Sequence, residues 1–404
     1  MATLLHIGAG QLQMPSIRAA HAAGLKVIAT DRDPEAACRH RADGFVRVAA
    51  DDTEGVLQAA LEIDDLVGIY TAGDHALPTV ARVTTRLGLP GPSVESLSTL
   101  LDKSRSTELW RSLGLRTTAG RRVADPDDAR AAFAEMGGPA ILKPAGSSGS
   151  RGVRSIVAAA DIDRAWTEAS AFGNVILMER QLHGRHVDVN LCLIEGEVVR
   201  CGLLDRYFTL PPLHVPLWGH QPADIGTAEA DAIYALVAEA ALAAGLDQGP
   251  VKADVVVNAE GPHLLEVSPR FHGDVSSSHV SPLALGWHPA LPWFRHLAGQ
   301  DWRSATEEPQ RAGRLIGWRA VLSPMAGRFL RVEGLESAID MAGILDVIVI
   351  RRNGQLVPAG TDNRAVIAFV FGEGENWIQL KTRLSAAAGA LRAVIAGGNA
   401  PMKV

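Results

Sequence analysis

Cysteine is scarce: Cys38, Cys192 and Cys201 are the three present, an odd number with no Cys-x-x-Cys spacing. Neither a disulfide framework nor a cysteine-based zinc site finds support in that arithmetic, which leaves buried or incidental thiols. An excess of one charge is missing too. The 39 Lys and Arg are interspersed with 45 Asp and Glu, for a net charge of −6, so there is no basic footprint for nucleic acid or an anionic membrane. No apolar run is long enough to span a bilayer. Met1 to Gly8 carry no basic stretch leading into a long apolar segment with a cleavage site. A cytoplasmic protein without nucleic-acid or membrane partners is therefore the expectation. Low complexity is absent as well: 40 Gly and 22 Pro are scattered, and 47% hydrophobic with 21% charged residues is near the globular average. No internal repeat is found.

What is present is a chain of 404 residues, enough for two or three domains around a shared cleft. Its first stretch alternates β-like runs (Leu4 to Ile7, Lys26 to Thr30, Phe45 to Val48, Leu66 to Tyr70) with helical ones (Met14 to Ala23, Thr53 to Leu61, Ala76 to Leu87). That is the alternation of a parallel sheet covered on both faces. Gly88, Pro90, Gly91 and Pro92 interrupt it, and a domain boundary is expected near residues 90 to 102. A helix over Lys103 to Leu113 precedes β-like runs at Pro139 to Lys143, Val153 to Val157 and Val175 to Met178. Val187 to Leu193 and Val198 to Leu203 form a hairpin pattern turned at Glu195 and Gly196. Arg206 to Ile225 is Pro-rich and aromatic without a period, and Ala228 to Ala244 is an alanine-rich helix ended by Gly245. The last ninety or so residues mix β runs (Ile344 to Ile350, Ala365 to Val370) with a final helix, as a small third lobe.

Gly8-Ala9-Gly10 after the first strand, with Asp31 ending the second, has the outline of a dinucleotide-binding turn. Gln13 stands where the third glycine of that fingerprint belongs, so a tight turn without a cofactor explains it equally well. A second glycine run, Lys143 to Gly152, lies between β-like segments and lacks a GK[ST] followed by a helix, against a Walker-type loop. Two readings stay open: a mobile hairpin aiming backbone N–H groups at phosphate oxygens with Lys143 as a fixed charge, or a solvated loop.

The segment Val251 to Arg270 is the most informative. With a turn at Asn258 to Gly261, Asp254 falls opposite Glu266, and the two-residue period puts Lys252, Glu266, Ser268 and Arg270 on that same face. Ala253, Val255, Val257, Leu265 and Val267 make the other, apolar face. Like charges directly opposed across strands are destabilising, so a cation between the two carboxylates is expected, and oxygen ligands suit Mg²⁺.

At these residues the chain resembles the ATP-grasp superfamily, in the branch of biotin carboxylase, carbamoyl-phosphate synthetase and the carboxylate-amine ligases that make dipeptides. The motifs occur in order along nearly the whole length: Leu87 to Ser93, Asp102-Lys103, the Lys143 strand and its glycine loop, Leu177 to Leu182, Gly184 to Asp188, and the hairpin ending in Ser268-Pro269-Arg270. The resemblance implies a mixed α/β and α+β architecture: a Rossmann-like pre-ATP-grasp domain (1–98), an ATP-grasp domain (99–305, with a lid at about 138–182) and a C-terminal α+β lobe (306–404). It implies ATP with Mg²⁺ or Mn²⁺ as cofactors, small-molecule carboxylate and amine substrates, and is compatible with a homodimer. Carried over residue by residue, Lys103 and Lys143 hold ATP phosphates together with the loop residues Gly146, Ser147, Ser148, Gly149 and Gly152. Glu179, Arg180 and Leu182 form the adenine hinge, and His186 stands at the ribose position. Asp254 and Glu266 match the metal carboxylates, while Ser268 replaces the usual Asn as third ligand. Arg270 matches the arginine that neutralises the transferring phosphate, so Arg270 and Lys143 are the candidate catalytic residues.

The implied reaction phosphorylates a carboxylate and transfers the acyl group to an amine. The alternatives are a carboxylase activating bicarbonate and a nucleotide-binding protein without turnover. Arg206 and His220, in a segment similar to the substrate loop of dipeptide-forming ligases, are candidate substrate contacts. Asp74, Arg270 and His272 complete that set, and a packed covering loop with incidental polar groups is the competing reading.

Overall fold

The computed structural model describes residues 1–273, 275–306 and 314–397. Strands β1 (Thr3–Ile7), β2 (Lys26–Thr30), β3 (Gly44–Val46) and β4 (Leu66–Thr71) form a parallel sheet in the order β3-β2-β1-β4. Helices α1 (Met14–Ala22), α2 (Thr53–Leu61) and α3 (Leu77–Leu87) connect or follow these strands. Gly88, left-handed at φ 66°, ends α3 as a residue without Cβ can. Asp31 is occupied within its own chain, accepting the backbone N–H of Ala9 at 2.9 Å and of Asp33 at 3.0 Å. The Gln13 side chain lies over Gly10. The glycine turn is thus held by protein groups.

Residues 90–102 are not an open linker. Ser93 accepts the Ser96 N–H and starts α4 (Val94–Leu101), and Asp102 then caps α5 (Lys103–Ser112). A four-stranded antiparallel sheet follows, ordered β5-β8-β6-β7, from β5 (Gly120–Val123), β6 (Ala140–Pro144), β7 (Arg154–Ile156) and β8 (Ile176–Arg180). It is backed by α6 (Pro126–Met136), capped by Asp125, and α7 (Ile162–Ser170). The glycine run lies between β6 and β7.

The largest sheet begins with β9 (Arg185–Ile194), β10 (Glu197–Phe208), β11 (Pro216–Gln221), β12 (Gly249–Asn258) and β13 (Gly261–Ser268). Glu195 and Gly196, at φ 54° and 81°, make the two-residue turn expected between β9 and β10. The segment 206–225, Pro-rich, aromatic and without a period, extends β10 and supplies β11. Five of the six β11 residues are buried, so no alternating pattern exists to reveal the strand. Helix α8 (Thr227–Ala243) covers the sheet, and Trp110 of α5, fully buried, donates its indole N–H to Ala240 O of α8 at 3.2 Å.

The remaining strands are β14 (Leu315–Leu322), β15 (Gly327–Glu333), β16 (Ile344–Val349), β17 (Leu356–Val357), β18 (Val366–Gly374) and β19 (Arg392–Gly397). Three of them complete the eight-stranded order β13-β12-β9-β10-β11-β14-β18-β16, so the C-terminal region shares a sheet with the central one. The others form a small sheet, β17-β15-β19. The final helix, Trp377–Ala390, is followed by β19 rather than ending the fold.

Candidate active site

The three layers meet at a cavity of about 500 Å³. The loops after β1 and β4 contribute Leu12 and Ala72–Asp74, α5 contributes Lys103, and the β5-β8-β6-β7 sheet with its loops contributes Lys143, Ser147–Ser150 and Glu179–Leu182. The large sheet supplies the floor. On β9 the two-residue period sends His186 and Asp188 the same way, and β12 and β13 add Lys252, Asp254 and Glu266.

Asp254 does pair directly with Glu266, as expected, but through a bulge: Val255 pairs with Leu264, leaving Leu265 as the extra residue. Leu265, expected on the apolar face, lines the cavity instead. A cation does sit beside the two carboxylates, and it is a lysine. Lys252 Nζ lies 2.6 Å from Glu266 Oε1 and 3.6 Å from Asp254 Oδ1. Lys103 Nζ is 2.9 Å from Glu266 Oε2 and donates to Ser147 O at 2.7 Å, linking the glycine loop to the floor. Burial alone would raise the Glu266 carboxyl; Lys103 and Lys252 outweigh it and hold it down at about 2. Burial acts likewise on Asp254, where the Lys252 charge and then the His272 ring keep it well below the usual range. Lys252 itself is pushed up, because the two carboxylates overcome its desolvation.

Arg270 crosses to the N-terminal sheet. Its Nε and Nη2 donate to Asp74 Oδ1 and Oδ2 at 2.5 and 2.6 Å, a bidentate pair, and its Nη1 donates to Phe271 O at 2.7 Å. Against the effect of burial, that guanidinium holds Asp74 far below the ordinary Asp range. Lys143 Nζ lies 2.7 Å from Glu179 Oε2, both side chains nearly buried. Arg206 pairs with Asp188. His272 Nε2 lies 2.9 Å from Asp254 Oδ1. Burial, then the neighbouring His214, lowers His186 to about 4.

Of the residues singled out from sequence, Asp74, Lys103, Lys143, Ser147, Ser148, Gly149, Glu179, Arg180, Leu182, His186, Arg206, Asp254, Glu266, Arg270 and His272 line this one cavity. Four do not. Gly146 is exposed, and Gly152 (φ 70°) packs its backbone against Ala169 and Glu168 of α7. Ser268, opposite Lys252, is 1% exposed and its short hydroxyl stops within the sheet, whereas Lys252 reaches across to Glu266. His220 pairs with Asp205 and so faces away from Arg206; its Nδ1 lies 3.0 Å from Pro222 O, and it is 1% exposed. The substrate role suggested for His220 has no opening to the cavity.

Residues 102–202 match the family model "Carbamoyl-phosphate synthase L chain, ATP binding domain", and residues 319–396 match "L-amino acid ligase C-terminal domain 2". The crystal structure of an L-amino acid ligase from Bacillus licheniformis superimposes with a TM-score of 0.79 over 98% of this chain and 99% of that one, at 18% identity. The biotin carboxylase domain of 2-oxoglutarate carboxylase from Hydrogenobacter thermophilus, solved with MgADP and bicarbonate, gives 0.74 over 97% and 90%, also at 18%. The chain has the ATP-grasp fold. A D-alanine–D-alanine ligase from Stutzerimonas stutzeri is 30% identical over 189 residues, 45% of this chain and 59% of that protein. The chain spans less than two thirds of the length of the curated relatives it matches.

The fold also brings Trp318, Ile350, Asn363, Val366 and Phe369 to the cavity from the C-terminal region. No motif marks them. Asn190, which holds His272 by accepting its backbone N–H at 3.0 Å, did carry a signal, the polar period His186, Asp188, Asn190 along β9.

Proposed function

We propose that this protein is an ATP-dependent, ADP-forming ligase that phosphorylates an amino-acid carboxylate and joins the acyl group to an amine. The observation that carries the reading is the Asp254–Glu266 pair opening onto one cavity with Lys103, Lys143, Lys252 and Arg270. In it, Glu179 to Leu182 meet the adenine, and His186 lies toward the ribose. Lys103, Lys143 and the N–H groups of Ser147–Ser150 receive the phosphates. Asp254 and Glu266 are oxygen donors suited to Mg²⁺ or Mn²⁺ and would hold it once Lys103 and Lys252 turn to the nucleotide. The ion would supply charge neutralisation at the transferring phosphate.

The acid substrate fits the Asp74–Arg270 pair. An amino-acid zwitterion entering between them places its carboxylate at the guanidinium and its ammonium at Asp74, exchanging one internal ion pair for two. The apolar wall of Leu12, Trp318, Ile350, Val366 and Phe369 suits a bulky apolar side chain. The carboxylate oxygen attacks the γ-phosphorus and ADP leaves with the electron pair of the broken P–O bond. The amine then attacks the acyl carbon, phosphate leaves, and the amine gives up a proton. No side-chain nucleophile takes part; the protein positions reactants and neutralises charge.

The test is phosphate release from ATP and Mg²⁺ with amino acids offered singly and in pairs. Release only with particular pairs is expected, and Arg270→Ala or Glu266→Ala should lower it about 100-fold or more. Release with bicarbonate alone would favour the carboxylase alternative, and undiminished activity in either variant would overturn the assignment.

A further inference from the structure

The wall that receives the acid's side chain is apolar except at one atom. Leu12, Ile350, Val366 and Phe369 present only hydrocarbon side chains. Trp318 adds an indole N–H, which donates and cannot accept. The indole is held firmly. Trp318 is 2% exposed, its ring meets Phe369 edge-on at 5.7 Å and 78°, and β14 pairs it with Gly219 of β11. Gly219 makes room for it: a Cβ there would come within 3.1 Å of Trp318 Nε1 and 2.6 Å of Asp205 O. A buried tryptophan usually finds a partner for its N–H, as Trp110 does in Ala240 O. Trp318 finds none among the described residues. Its Nε1 is also not among the sealed side-chain atoms that lack a partner, so the N–H opens on the cavity.

We propose that Trp318 is a specificity-determining residue whose N–H selects an acid with an apolar side-chain body and an uncharged hydrogen-bond acceptor. The inference rests on the ligase reading and narrows its substrate. A purely apolar side chain filling this wall strips water from the N–H and leaves it unpaired, a cost that falls on that substrate alone. An ether, carbonyl or hydroxyl oxygen at the same depth keeps the shape and supplies the missing acceptor. Sites with a buried donor reject analogues lacking the acceptor far more sharply than apolar pockets reject a missing methylene. A charged side chain is disfavoured, because the wall brings no cation. Arg206, in the same cross-strand row as Gly219 and Trp318, is paired with Asp188. Asn363, the other polar residue from the C-terminal region, packs on the glycine loop instead: a Cβ at Gly149 would lie 3.7 Å from its Nδ2.

Isosteres that differ by one acceptor test the inference: norleucine against O-methylhomoserine, and leucine against asparagine. Each is offered as the acid to the full-length protein with ATP, Mg²⁺ and hydroxylamine as the amine, so that the hydroxamate formed identifies the acid activated. The acceptor-bearing member of each pair is expected to have the higher kcat/KM, by about tenfold. Trp318→Phe, which keeps a ring against Phe369, should make the two members equal while KM for ATP stays unchanged. A merely structural role would lower both members together and leave their ratio alone, which would overturn the inference. Should Trp318→Phe fail to fold, the ratio in the unmodified protein decides alone. Equal rates in the unmodified protein, or a preference for the apolar member, would overturn the inference and leave the ligase reading standing. No hydroxamate from any amino acid would overturn both.

Discussion

Asp74 and Arg270 are 196 positions apart in the chain, yet two oxygens of one meet two nitrogens of the other. Each alone has an ordinary reading, a turn-forming acid after a strand and a basic residue after a hairpin. Together they are a buried ion pair whose parts match the two ends of an amino acid. Asp74→Asn keeps the volume and the oxygen and removes the charge. It should raise KM for the amino-acid donor by about ten- to a hundredfold, the usual effect of one charged hydrogen bond, while KM for ATP stays unchanged. Steady-state kinetics with each substrate varied separately checks this, and an equal rise in both constants would point to general damage instead.

At the scale of elements, legibility followed burial pattern. The β12–β13 hairpin has one apolar and one polar face, so its pairing of Asp254 with Glu266 could be read directly; only the bulge at Leu265 was hidden, since one inserted residue leaves local composition untouched. Strand β11 has no alternation because it is buried on both faces, and α6 and α7 were missed because their buried stripes consist largely of alanine: Ala129 and Ala132 in the one, Ala165 and Ala169 with Ile162 in the other. The wall of Trp318, Val366 and Phe369 was illegible for a different reason, namely that only the sheet order β11-β14-β18 brings these strands to the cavity. Gly152 has φ 70°, and a Cβ there would lie 2.9 Å from the Ala169 Cα. Gly152→Ala should therefore misplace the loop against α7, costing about 1–2 kcal/mol and raising KM for ATP more than KM for the acid. Thermal unfolding with ATP-dependent kinetics measures both, and a variant with normal stability and ATP affinity would show the close approach to be unimportant.

For the whole molecule, pH is the simplest global probe. Burial is the main cause that lowers His6 and His279 to about 4 and His288 to about 3, from 6.5. Below pH 6.5 the unfolded chain takes up these protons and the folded chain does not, so stability falls as pH drops from 6.5 toward 4. Glu266, held at about 2 against 4.5, extends the loss below pH 4.5, because protonation removes its pairing with Lys103 and Lys252. Melting temperatures should be level above pH 7 and decline progressively at 5.5 and 4; a flat profile to pH 4 would contradict the buried neutral histidines. No described helix is long and apolar enough to cross a membrane.

The central claim is that this cavity turns a carboxylate into an acyl phosphate. Substrate amino acid labelled with ¹⁸O in its carboxylate, supplied with unlabelled ATP and the amine, tests it most directly. The account predicts that phosphate released in the coupled reaction carries one ¹⁸O atom per molecule, by mass spectrometry, with ADP as the other nucleotide product. Unlabelled phosphate, or AMP with pyrophosphate, would contradict it.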